Sequence, residues 1–348
     1  MPNRILFRFL TVIGLLALTA AACGGERAQA FRVTVTGQGP DLLLIPGLAS
    51  SMAVWEDTAA AFEDRYRVHR FTLAGFAGVP PVPGPVLETR KAALVRYLEE
   101  QDLTGVTLAG HSLGGVMGML VAEAAPERVA RLIIVDSLPF VAELFFRAET
   151  VSEARSVADN LRTTQRLQPP SVFFAQQRAA LAGLTKQTER LSDLSLWLVT
   201  SDKDTLIDAL HEMFTLDLRP RLAGITAETT VIYAHDRIMP IGAAALDRLY
   251  GRQYGALPSK TLERIDRSFH FVMFDRPDAF RDAFARALAN PSVETTQMSG
   301  AKEGVTVPVH ARLHGHEQLH LRSRDGCFRD AGERDGDLDR GRCRTRPR

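Results

Sequence analysis

From Phe31 to Asn290 short apolar runs alternate with segments of helical periodicity. That alternation confines the chain to a mostly parallel sheet with helices on both faces, because parallel neighbours need a crossover element between them. Strands are expected at Asp41–Ile45, Arg67–Leu73, Val106–Ala109, Leu132–Val135, Thr230–Tyr233 and Thr261–Ile265, each rich in Val, Ile or Leu and each closed by Gly, Pro, His or Asp. Phe31–Thr36 is expected to add an antiparallel edge hairpin, bringing the sheet to about eight strands. Helical patterns fall between them at Ser51–Phe62, Pro85–Gln101, Leu113–Ala124, Ala243–Tyr250 and Pro277–Ala289, with Pro126 and Pro291 as stops.

One interval departs from this rhythm. Between Asp136 and the strand near Thr230 no segment reads as a strand, whereas Val141–Ala148, Ser152–Gln165, Phe173–Leu184 and Leu194–Leu216 are amphipathic at helical spacing. A structureless loop of that length is a poor assignment inside a compact domain. The segment therefore reads as a helical lid over residues 137–225, inserted into a core made of residues 31–136 and 226–290.

The two ends differ in composition from this body. Arg4 and Arg8 precede an uncharged run from Phe9 to Ala22 that is too short for a membrane span, and small residues follow it up to Ala28-Gln29-Ala30. Residues 1–30 thus have the layout of an export signal, which makes the protein periplasmic or secreted. Ala22-Cys23-Gly24 also resembles a lipoprotein processing site, so membrane attachment through lipid on Cys23 is a second possibility, although Ala20 stands where such sites favour Leu. Residues 291–348 contain a single aromatic, Phe328, and many Arg and acidic residues, the composition of a disordered tail.

Composition excludes several function classes. With 42 Lys+Arg against 41 Asp+Glu the chain lacks the basic excess that tracking a phosphate backbone requires, so no nucleic-acid partner is expected. Cys23, Cys327 and Cys343 form no C-x-x-C pair and no regular spacing with His, which argues against a zinc module. No metal or other cofactor is expected.

The chemistry begins at Gly110-His111-Ser112-Leu113-Gly114, directly after one strand and directly before one helix. A serine at the apex of so sharp a turn is held in a strained conformation, and the residues two before and two after it must be very small to avoid collision. Gly110 and Gly114 meet that requirement.

In this context the G-x-S-x-G motif resembles the nucleophile turn of the α/β-hydrolase superfamily, and the resemblance covers most of residues 31–290. It implies a nucleophile after the fifth strand, an acid after the sixth or seventh, and a histidine after the last. Of His69, His111, His211, His235 and His270, only His270 lies at the implied place, in Ser268-Phe269-His270-Phe271 with Asp275-Arg276-Pro277 downstream. His111 reads as a packing residue beside the nucleophile. Two carboxylates compete for the orienting role. Asp236, in Tyr233-Ala234-His235-Asp236 with Pro240 beyond, is the expected acid, and Asp136, closing the preceding strand, is the alternative. The glycine usual just before the acid is absent from the Asp236 loop. The resemblance also implies an oxyanion hole made by the amides of Leu113 and of Leu48 in Pro46-Gly47-Leu48, with Phe76, Phe140 and Trp197 toward substrate.

The function expected from this constellation is a serine hydrolase that cleaves a carboxylic ester of a small molecule through an acyl-enzyme on Ser112. An acyltransferase, amidase or cofactor-free perhydrolase with the same triad, and a non-catalytic binding protein on the same fold, are the alternatives, since a fold does not dictate its chemistry. Dehalogenases and epoxide hydrolases are disfavoured by a serine where they carry a carboxylate nucleophile. Natural substrate, acyl length and oligomeric state are not legible in the sequence.

Overall fold

The computed structural model describes residues 29–289. Most of the expected export signal, Cys23 and the expected tail lie outside the described residues.

Seven strands form one sheet in the order β1-β3-β2-β4-β5-β6-β7: β1 (Phe31–Thr36), β2 (Asp41–Ile45), β3 (Arg67–Leu73), β4 (Val106–His111), β5 (Val129–Val135), β6 (Glu228–His235) and β7 (Lys260–Asp266). The sheet thus has seven strands among the described residues against the expected eight or so. β1 lies at one edge, antiparallel to β3, and does not form a hairpin with β2. All other pairings are parallel.

The side chains of each central strand divide between two cores, as the two-residue strand repeat requires. Leu43, Ile45, Leu108, Leu132, Ile134 and Val231 join one cluster, against α2 (Val86–Glu100), α3 (Leu113–Ala124) and α9 (Ala243–Gln253). Leu42, Leu44, Ala109, Ile133, Val135 and Ile232 join the other, against α1 (Glu56–Phe62), the short α10 (Val272–Asp275) and α11 (Pro277–Ala289). Burial on both faces explains why these strands are nearly continuous in Val, Ile and Leu.

Between β5 and β6 the chain runs through five helices: α4 (Val141–Phe146), α5 (Val151–Leu167), α6 (Pro170–Leu181), α7 (Leu191–Val199) and α8 (Lys203–Phe214). The single helix expected over Leu194–Leu216 is interrupted after Val199, and Asp202 then caps α8 by accepting the Thr205 N–H at 2.8 Å. This insertion is anchored to the core at separate points. The Asp202 N–H donates to the Gly75 carbonyl and the Gly78 N–H to the Thr200 carbonyl. Glu212 of α8 accepts the amides of Val86 and Leu87 at 2.7 and 2.8 Å, supplying α2 with the N-terminal cap that Pro85 cannot provide.

Candidate active site

The strand ends place the chemistry. Ser112 follows β4 with φ 54° and ψ −118°, a conformation disfavoured for a residue with a Cβ. The turn closes tightly. A Cβ on Gly110 would lie 1.9 Å from the Gly114 carbonyl oxygen, and one on Gly114 would lie 2.1 Å from that of Ile45, so both positions demand glycine. Ala49, Asp136 and Arg267 also have positive φ (57°, 46° and 63°), each in a loop leaving the C-terminal end of a strand. Strain gathered at one end of a sheet marks that end as the functional one.

His270 lies in the loop between β7 and α10, and its Nδ1 is 2.7 Å from Oδ2 of Asp136. The partner of the histidine is therefore Asp136 and not the expected Asp236. Asp136 follows β5, and the Ser112 N–H donates to the carbonyl of Val135 at 2.9 Å, which ties the serine turn to the residue before the carboxylate. Oδ1 of Asp136 accepts the Ala234 N–H at 2.9 Å and faces the Tyr250 hydroxyl at 3.3 Å, so the carboxylate has a defined orientation. Burial, with the Asp136 charge alongside, pushes the Tyr250 phenol well above its ordinary value, so it remains a hydrogen-bond donor.

Asp236 points elsewhere. It forms an ion pair with Lys186 of the helical insertion and accepts the Ile238 N–H at 3.1 Å. The Lys186 ammonium, with that amide, holds its carboxyl below the usual carboxylate range. The glycine missing from the Tyr233–Asp236 segment was the sequence sign of this departure.

His270 is held on four sides. The Phe269 N–H donates to Asp275 Oδ2 at 2.7 Å, and the Phe271 N–H donates to the Leu184 carbonyl at 3.0 Å. His111 Nε2 lies 3.0 Å from the His270 carbonyl, and Asp136 holds the ring itself. Asp275 is a buried carboxylate that also accepts the Thr185 hydroxyl at 2.7 Å and the Lys186 N–H at 2.8 Å, so the insertion and the histidine loop share one anchor. Its sequence sign was the aspartate before Arg276-Pro277, although nothing there indicated what it binds.

His111 is fully buried, with its ring centroid 4.5 Å from that of His270. Burial and the neighbouring imidazole push its pKa well below the ordinary value. It is therefore neutral, donating from Nε2 to the His270 carbonyl, while its Nδ1 has no hydrogen-bond partner among the described residues. The packing role expected for it extends to holding the histidine loop.

The loop after β2 closes the site from the other side. A Cβ on Gly47 would lie 3.2 Å from the Ser112 Cβ and 3.0 Å from His111 Nδ1, so the backbone leading to Leu48 lies against the serine turn. Leu113 begins α3, where the first amides of a helix have no acceptor within the helix. Of the residues expected near substrate, Phe76 is fully buried in the core. Phe140 is equally buried, with the Arg219 guanidinium 4.4 Å from its ring centroid. Trp197 of α7 is half-buried. Apolar burial won at Phe76 and Phe140, because aromatic side chains contribute most to a core when removed wholly from water.

A strained serine between two obligatory glycines, a histidine on a neighbouring loop and a carboxylate on that histidine define a hydrolase site on a doubly covered parallel sheet. The chain belongs to the alpha/beta hydrolase family, whose model matches residues 42–283. It is 30% identical over 219 residues to a pimeloyl-(acyl-carrier protein) methyl ester esterase of Vibrio campbellii, a match covering 60% of this chain and 81% of that protein. A protein of the same name from Photobacterium profundum is 27% identical over 262 residues, covering 74% of this chain and 90% of its own length. Among solved structures, the enol-lactonase from Burkholderia xenovorans LB400 superposes with a TM-score of 0.62 at 18% identity, covering 75% of this chain and 96% of that one. A thermophilic esterase from Thermogutta terrifontis gives 0.59 at 19% identity, covering 74% and 93%. These two likenesses concern the fold.

Proposed function

We propose that the protein is a serine hydrolase that cleaves a carboxylic ester of a small molecule through an acyl-enzyme on Ser112. The observation that carries this reading is the 2.7 Å contact between His270 Nδ1 and Asp136 Oδ2, together with the nucleophile-turn geometry of Ser112. The names of the relatives, methyl ester esterases, agree with an ester as substrate.

With Nδ1 donating to Asp136, His270 Nε2 is the nitrogen that takes the Ser112 proton as Oγ attacks the acyl carbonyl carbon. The resulting oxyanion is held by the amides of Leu113 and Leu48, fixed dipoles that need no reorganisation during the step. Collapse breaks the ester bond, and the departing alkoxide takes the proton from His270. Water then attacks the acyl-enzyme, giving its proton to the same Nε2, and the acid leaves as Ser112 recovers its hydrogen. Asp136 stabilises the imidazolium formed in both halves. Of the three aromatics expected toward substrate, Trp197 of the helical insertion, which serves as the lid, is the one that keeps surface for the acyl or alcohol group.

The proposed enzyme works after export, directed by residues 1–30. Intact mass of the protein recovered from the producing cell tests this. A mature chain beginning at Phe31 supports free export, a lipid-modified Cys23 supports an anchored form, and a retained Met1 overturns both.

The chemistry is tested with a fluorophosphonate probe and p-nitrophenyl esters of increasing acyl length. One stoichiometric adduct on Ser112, lost in Ser112→Ala, together with ester turnover is the expected result. A folded protein with neither adduct nor turnover overturns the reading.

A further inference from the structure

Beside the His270 loop, at the C-terminal ends of β6 and β7, lies a cavity of about 660 Å³. Its wall brings together Lys186 from the helical insertion, His235 and Asp236 from the end of β6, Arg237 from the following loop, and Asp266 and Arg267 from the end of β7. The mechanism uses none of these side chains.

Their charges do not cancel locally. Asp236 is paired with Lys186. Asp266 is bound by Arg264, at 2.8 Å from its Nε, and lies 3.3 Å from His235 Nδ1. Each carboxylate of the wall is thus already engaged by a cation. Arg237 and Arg267 line the cavity and form no salt bridge among the described residues, although the Arg237 charge also acts on Asp236. His235 adds a separate sign of incompleteness: the residue is only 7% exposed, and its Nε2 is buried without a hydrogen-bond partner among the described residues. A buried polar nitrogen left unpaired is seldom retained without a reason.

Arg267 stands three residues before His270 with φ 63°, a backbone conformation that arginine does not adopt readily. Guanidiniums on two successive strand-end loops, with a lysine facing them from the insertion, offer planar forks and a point charge suited to a group with several negative oxygens. The carboxyl ends of parallel strands are also where open α/β sheets receive ligands.

We infer that this cavity is an anion-binding site for a carboxylate or phosphate group, held by Arg237 and Arg267, with Lys186 recruited from Asp236 when the anion enters. The inference is independent of the ester chemistry, because binding of the anion is measured directly.

The experiment is calorimetric titration of the full chain with inorganic phosphate and with glutarate at constant ionic strength, chloride replacing the anion in the reference. Saturable binding of one anion per chain is expected. Arg267→Gln and Arg237→Gln should each weaken it about tenfold, the effect of losing one charge-assisted fork. Asp236→Asn should act in the opposite direction and tighten binding, since it removes the carboxylate that competes for Lys186. Net charge alone would give the same signs, so Arg96→Gln, which removes one exposed positive charge outside the cavity wall, is the control: it should leave binding unchanged, and a weakening equal to that of Arg267→Gln would overturn the inference. The source of the anion is read from p-nitrophenyl esters with a terminal carboxylate or a neutral isostere of it. If the KM advantage of the anionic ester disappears in Arg267→Gln, the site receives the charged end of the substrate. If that ratio is unchanged while phosphate binding is lost, the site takes a free anion. Absence of saturable binding by either probe, or binding unaltered in both arginine variants, overturns the inference.

Discussion

Asp136→Asn is the substitution that tests the site most directly. Oδ1 of Asp136 faces two donors, the Ala234 N–H at 2.9 Å and the Tyr250 hydroxyl at 3.3 Å, so the oxygen of the new amide must remain there. The amide NH2 then takes the place of Oδ2, 2.7 Å from His270 Nδ1, where a donor now meets a nitrogen that has to give up its proton. The imidazole is driven to the tautomer protonated on Nε2, the nitrogen needed to accept the Ser112 proton. The corresponding acid-to-amide exchange in a serine protease triad lowers kcat by about 10⁴, or about 5.5 kcal/mol of transition-state stabilisation, and the same order is expected here. Turnover of p-nitrophenyl acetate and the rate of fluorophosphonate labelling measure it, with thermal unfolding as the check on the fold. Asp236→Asn in the same assays should alter kcat by less than about threefold, because Asp236 binds Lys186 and the Ile238 amide and makes no bond to His270. Asp136→Asn retaining more than about a tenth of parent activity, or Asp236→Asn proving the slower enzyme, would refute the assignment of the acid.

Two further predictions concern the supports of His270. In Asp275→Asn the amide oxygen stays with the Thr185 hydroxyl and Lys186 N–H, leaving an NH2 against the Phe269 N–H, a loss of about 2 to 3 kcal/mol that should lower Tm by about 5 to 10 °C and slow Ser112 labelling; an unchanged Tm and labelling rate would show that this anchor is idle. His111 stays neutral in the folded protein while its unfolded counterpart takes a proton below about pH 6.5, so stability should fall as pH drops below that value, by up to about 1.4 kcal/mol per unit. His69, lowered by burial as well, acts in the same direction, so His111→Phe should flatten the decline of Tm between pH 7 and 5 only in part, and an unaltered slope would count against a buried neutral His111.

Local sequence determined a good deal of this protein. β2 and β3 have the bounds expected of them, and in β2 the reason is plain: a strand buried on both faces must be apolar, as it is from Leu42 to Ile45. The serine turn was equally legible, since Gly110 and Gly114 answer to contacts within five residues and with the neighbouring β2 strand end. The helical character of the long insertion followed from periodicity alone, although the break after Val199 depended on a cap that a continuous amphipathic pattern conceals.

Long-range packing decided the rest. Asp136 and Asp236 both close apolar strands, and beyond the glycine missing before Asp236 nothing in their immediate sequence says which one meets His270. The choice was made by partners far along the chain: Ala234 and Tyr250 orient Asp136, while Lys186 draws Asp236 away. Phe76 and Phe140 illustrate the same limit, since hydrophobic character marks a side chain for burial without saying whether core or ligand will cover it. Turn geometry and strand burial are set by neighbours in sequence and by an average apolar environment, so they can be read from a single chain. The pairing of a particular carboxylate with a particular imidazole is set by a few ångströms between loops from separate strands, and only the folded sheet specifies that distance.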